Sequence, residues 1–191
     1  IIQASAFDKL VAQLQKEGGY LATPEEKEKL RRAMWDDERH RTVETVAIAP
    51  QQLAKIAGFE IPADRKFIMV HGDGIGKEHH LSGEKLTTLL ALYRYESFDQ
   101  ALAMMRGVYE VGGKGHSCGI YSFDQDHIHR LAMAAPVSRI MVRQPQSKAN
   151  AGSAAPPAVV ASGCSGHGAS SVSTPRTSSS TPASIVGLSL T

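Results

Sequence analysis

Apolar positions in this chain follow two rhythms, one helical and one of short unbroken runs. Phe7, Leu10, Val11 and Leu14 keep the i, i+3, i+4, i+7 spacing of one helical face. Ser5 is the expected N-cap of that helix, and Gly18-Gly19 its end. Thr23-Pro24-Glu25-Glu26 predicts the next helix start, with Thr23 as cap, Pro24 in the first turn and Glu26 closing a capping box. That helix should run through Leu30 and Met34 to about Trp35. A short helix is expected over Gln51 to Ala57, ended by Gly58, with Leu53, Ile56 and Ala57 on one side.

The unbroken runs read as strands. Lys66 to Val70 predicts one, and Thr88 to Tyr95 a second, longer one. Ser97 then opens a helix whose apolar face is Phe98, Leu102, Met105 and Val108, closed by Gly112-Gly113. Cys118 to Ser122 should be a strand, Asp124 to Ala135 a helix and Val137 to Arg143 a strand, with Pro136 at the last boundary. Strands alternating with helices over short connections predict an α/β fold, a mostly parallel sheet with helices packed on it. The expected domain covers residues 1–149.

Composition changes the picture only near Ser147. From Asn150 to Thr191 the chain has no acid, no aromatic residue and a single charge, Arg176. Ser, Thr, Ala, Gly and Pro bury too little apolar surface to offset the entropy of ordering, so residues 150–191 are expected to be a disordered tail. The whole chain of 191 residues carries a formal net charge of +2, which calls for neither nucleic acid nor an anionic membrane. Its apolar runs are too short to span a bilayer. Two cysteines, Cys118 and Cys164, make no disulfide framework, so a reducing cytoplasm is the expectation.

Residues able to carry chemistry are scattered along the chain. Gly72-Asp73-Gly74-Ile75-Gly76-Lys77 follows a strand but meets neither dinucleotide nor P-loop spacing, and no helix opens behind it; it reads as a flexible surface loop. His71, His79, His80, His127 and His129 lack the converging spacing of a metal site. Cys118, two residues after His116, is either an activated thiolate or a small core residue, and the core reading is the commoner one. Cys164 lies in the low-complexity tail, which cannot preorganise a site. Glu84, in Ser82-Gly83-Glu84-Lys85-Leu86 before a strand, is either a solvated acid paired with Lys85 or another base, or a carboxylate placed to accept two hydrogen bonds from the vicinal hydroxyls of a ribose.

Several segments together resemble one family. Glu17-Gly18-Gly19-Tyr20-Leu21 with Thr23-Pro24-Glu25-Glu26, then Ser82 to Leu86, Gly112-Gly113-Lys114-Gly115-His116-Ser117, and Val137-Ser138-Arg139-Ile140 are similar to CoA-acylating aldehyde dehydrogenases, nearest to the sulfoacetaldehyde group. The similarity covers about residues 1 to 153. It implies oxidation of an aldehyde with NAD or NADP, through a cysteine thioester that CoA then takes up, in a cytoplasmic homo-oligomer. It assigns one residue here, Glu84, to the nicotinamide ribose. Leu86 stands where many relatives outside the acylating branch have Phe.

The same resemblance puts the nucleophilic cysteine upstream of the segment matching Ile1 to Phe7, and the dinucleotide domain before that. This chain by itself is therefore expected to be inactive. Past Ser153 the family pattern fades, as a shifted reading frame from about residue 154 would make it do. Two rivals stand beside this reading. One is a small enzyme using Cys118 with His116; the other is a non-catalytic module that associates with full-length subunits.

Overall fold

The computed structural model describes residues 1–145, 159–160 and 185–189. The chain divides into two compact units, Ile1–Gly113 and Lys114–Thr191.

In the first unit, β1 (Ile2–Gln3) leads directly into α1 (Ala4–Lys16). The helix thus starts ahead of the expected Ser5 cap, on Gln3, which makes no side-chain capping bond. Parallel pairing of Ile2 with Arg94 and of Gln3 with Tyr95 fixes the entry to the helix instead. Gly18 closes it with φ +103, a left-handed conformation that favours glycine. Then β2 (Gly19–Leu21) packs so closely that a Cβ on Gly19 would stand 2.8 Å from the Leu14 carbonyl oxygen and 2.8 Å from the Met69 methyl. Only glycine fits there.

The second helix, α2 (Pro24–Met34), has the full capping box: Glu26 N donates to Thr23 Oγ1 at 3.2 Å, and Thr23 N donates to Glu26 Oε2 at 2.9 Å. α3 (Pro50–Ile56) takes Pro50 into its first turn. β3 (Phe67–His71) is the middle of a parallel sheet ordered β2-β3-β4, with β4 at Leu89–Leu92. Leu30, Met34, Trp35, Leu53, Ile68, Val70 and Leu89 fill the core beneath it.

The long strand expected over Thr88 to Tyr95 is two strands. β4 ends at Leu92, and β5 (Arg94–Tyr95) pairs with β1 rather than with β3. Leu92 and Tyr93 are both buried, which breaks the period-2 alternation of a continuous strand and turns the chain toward another partner. α4 (Phe98–Gly112) comes next, capped by Ser97 and buried along Phe98, Leu102, Met105 and Val108 as its spacing predicts.

In the second unit, β6 (Gly115–Tyr121), α5 (Gln125–Ala134) and β7 (Val137–Val142) form a β-α-β unit with β6 and β7 parallel. Asp124 caps α5, accepting from Asp126 N at 2.9 Å and His127 N at 3.3 Å. Within the segment expected to be disordered, β8 (Val159–Val160) lies antiparallel to β7 and β9 (Ile185–Ser189) antiparallel to β6. Cys164 and the expected change of reading frame at about residue 154 lie outside the described residues.

Candidate functional site

Glu84 sits in an irregular loop that its neighbours brace along both arms. On the N-terminal arm, Ser82 is buried; its hydroxyl accepts from Gly76 N at 3.2 Å and lies 2.7 Å from the His79 carbonyl oxygen as donor. The Lys85 ammonium folds back onto the same arm, donating to the Leu81 carbonyl at 3.0 Å and the Gly83 carbonyl at 2.7 Å. On the C-terminal arm three bonds tie the turn to residues 41–48. Arg41 Nη2 donates to the Lys85 carbonyl at 2.7 Å, Ala47 N to the Leu86 carbonyl at 2.8 Å, and Thr88 Oγ1 to the Ile48 carbonyl at 3.2 Å.

The backbone there is unusual. Leu86 and Ala47, joined by one of those bonds, have φ +47 and +53. A side chain in that region costs of order 1 kcal/mol or more. Such conformations persist only where surrounding contacts over-determine them.

Amid this lacing the Glu84 side chain is partly exposed and, among the described residues, accepts no hydrogen bond and makes no ion pair. Lys85, the expected partner of a merely solvated Glu84, spends its donors on carbonyls instead. Burial pushes the Lys85 ammonium down to about 8, against the opposing pull of Glu84 and reinforced by Arg41. Leu86, next in sequence, is 48% exposed beside the turn.

The other sequence candidates fall elsewhere. Gly72 lies flat on the Tyr93 ring, where a Cβ would come within 2.1 Å of it. The glycine-rich loop is thus shaped for close packing; it leads into a 3-10 turn at His80–Ser82, and Lys27 Nζ reaches both the Asp73 carboxylate and the His71 carbonyl. His71 stacks on Phe7 with ring centroids 5.6 Å apart, and His80 tilts against Trp35 at 5.5 Å. Burial, with Arg39 and Arg31 nearby, holds His80 below the usual histidine range. His127 lies 3.7 Å from the Asp124 carboxylate, while His129 is exposed. Among the described residues no three His, Cys, Asp or Glu side chains converge as a metal site.

Cys118 is fully buried in β6, and His116 Nδ1 is 2.8 Å from Ser117 Oγ. A thiol with no exposed surface is a core residue and a poor nucleophile for a soluble aldehyde. Sequence reasoning passed over Arg41, and it took Lys85 only as a surface ion-pair partner. Nothing local marks either: Arg41 reaches the turn from 44 positions away.

No family model matches the chain. It is 31% identical over 154 residues to a sulfoacetaldehyde dehydrogenase (acylating) of Bilophila wadsworthia, covering 78% of this chain and 33% of that protein. An acetylating aldehyde dehydrogenase from Geobacillus thermoglucosidasius superposes with a TM-score of 0.75 at 32% identity, over 79% of this chain and 33% of that one. The chain belongs to the acylating aldehyde dehydrogenase family. A succinate-semialdehyde dehydrogenase (acetylating) of Clostridium kluyveri, 29% identical over 150 residues, covers 78% of this chain and 33% of its own length. The chain therefore spans about a third of the length of the curated acylating aldehyde dehydrogenases it matches. No helix among the described residues is long and apolar enough to cross a membrane.

Proposed function

We propose that this chain forms part of an enzyme that converts an aldehyde, with CoA and NAD(P)+, to acyl-CoA and NAD(P)H, and that Glu84 holds the nicotinamide ribose. The supporting observation is the carboxylate itself: carried on a loop braced by the Arg41 and Lys85 hydrogen bonds, yet left with no donor from the protein among the described residues. A partly exposed carboxylate of that kind is an acceptor for two adjacent hydroxyls. Bound NAD(P)+ would supply the hydride acceptor. Leu86, exposed alongside, offers an apolar surface next to the same site.

Cys118 is too deeply buried to attack the substrate, and the nucleophilic cysteine is placed where the family resemblance puts it, upstream of the segment matching Ile1 to Phe7. Sulfoacetaldehyde is the favoured substrate within this reading, since a relative so named is among the most similar.

Nuclear magnetic resonance of the purified chain with added nicotinamide mononucleotide tests the assignment. The mononucleotide should perturb the resonances of residues 82–86, and Glu84→Gln should abolish the response. An unchanged response in that variant, or none in the wild type, would refute the role of Glu84.

A further inference from the structure

We propose that Arg41 and Lys85 are positioning residues for Glu84, two partly buried cations whose hydrogen bonds tie its loop in place and so set where the carboxylate points. The proposal rests on the reading of Glu84 as the ribose acceptor.

Neither cation meets a carboxylate. Arg41 donates to the Met34 carbonyl, to Thr45 Oγ1 at 2.8 Å, to the Thr45 carbonyl at 3.3 Å and to the Lys85 carbonyl at 2.7 Å. Its guanidinium carbon lies 5.0 Å from the centre of the Trp35 ring. None of these acceptors carries a formal charge. Burial accordingly holds the Arg41 guanidinium below its ordinary range. Lys85 is in the same condition, with two backbone carbonyls and no carboxylate in hydrogen-bonding contact.

Partly burying two neighbouring like charges on neutral partners is a poor way to gain stability, since packed apolar side chains of similar size serve as well or better. What the charges do supply is geometry. A guanidinium is a rigid planar fork, and here it joins three separate stretches: the end of α2 at Met34, the turn at Thr45 and the Glu84 turn at Lys85. Lys85 joins two further carbonyls of the Glu84 turn itself. Two residues with positive φ, Ala47 and Leu86, lie at the bond directly beside this clamp, so the local backbone needs such over-determination. A carboxylate that must meet a diol benefits from being fixed before the ligand arrives.

The experiment compares wild type, Arg41→Gln and Arg41→Lys in the full chain, with two readouts. One is the titration of the Lys85 ammonium; the other is the response of residues 82–86 to nicotinamide mononucleotide. Arg41→Lys keeps a cation over Trp35 but cannot fork between Thr45 and Lys85, so it carries the test if Arg41→Gln fails to fold. With the clamp opened, Lys85 should regain water and titrate closer to an ordinary lysine, and mononucleotide affinity should fall roughly tenfold while far-ultraviolet circular dichroism is unchanged. A folded Arg41 variant in which Lys85 still titrates near 8 and the mononucleotide binds as in wild type overturns the proposal. If the wild type itself does not respond to the mononucleotide, the ribose reading fails, and the Lys85 titration alone then decides whether the clamp exists.

Discussion

An ammonium group that meets only carbonyl oxygens gives up its proton more easily than one in water, and Lys85 carries that difference into the stability of the fold. Burial lowers it from the ordinary 10.5 to about 8 in the folded chain. Below pH 8 both folded and unfolded chains carry the charge, and the folded chain bears the full cost of burying it. Between about 8 and 10.5 the unfolded chain binds more protons than the folded one, so stability rises with pH through that window. The gain should approach about 3 kcal/mol at its upper end. Lys85→Met should abolish this rise. Urea unfolding midpoints of the two chains, measured at pH 7, 8 and 9.5, check it: parallel curves would show that Lys85 is already well solvated. Tyr93, pushed up to about 12 by burial and by Asp73, acts in the opposite sense only above pH 10, where its unfolded form begins to ionise.

At the scale of elements, helices with strong end signals were legible from the sequence and short strands were not. The capping box at Thr23 and Glu26, the Ser97 and Asp124 caps, and the Gly18 and Gly113 stops all stand where side-chain chemistry puts them. β1 and β2 are two and three residues long, too short to show any period; pairing with neighbours far along the chain is what makes them strands. The break at Tyr93 is visible in the sequence only afterwards, as Leu92 and Tyr93 competing for the same buried side. The α2 cap permits a direct check. Thr23→Ala removes the acceptor for Glu26 N, though Glu26 still accepts from Tyr20 Oη at 2.8 Å. The cost should be about 1 kcal/mol, and Thr23→Ser should recover most of it. A shift in melting temperature of roughly 2 to 4 °C in the alanine variant alone is the expected reading. Equal losses in both would mean that the Thr23 methyl, rather than its hydroxyl, is what matters.

For the molecule as a whole, the site divides along the same line between local signal and long-range packing. Glu84 could be singled out because a recognisable run of residues surrounds it, whereas the hydrogen bond from Arg41 to its loop joins positions 44 apart and has no motif. The chemistry goes further in that direction, because the chain matches only about a third of its curated relatives and its one described cysteine is sealed in β6. Covalent catalysis needs an exposed thiolate, an oxyanion site and a positioned nicotinamide in one place. Purified residues 1–191 should therefore give no NAD(P)H from sulfoacetaldehyde, CoA and NAD(P)+. Installed in place of the matching third of the Bilophila wadsworthia enzyme, the same residues should support turnover, because the hydrogen bonds described for the loop that presents Glu84 all lie within residues 34–88. Adding Glu84→Gln to that hybrid should raise KM for the nicotinamide coenzyme more than KM for CoA. Turnover by the unaided chain would return the nucleophile to residues 1–191. A folded hybrid whose coenzyme KM ignores position 84 would detach this carboxylate from the ribose.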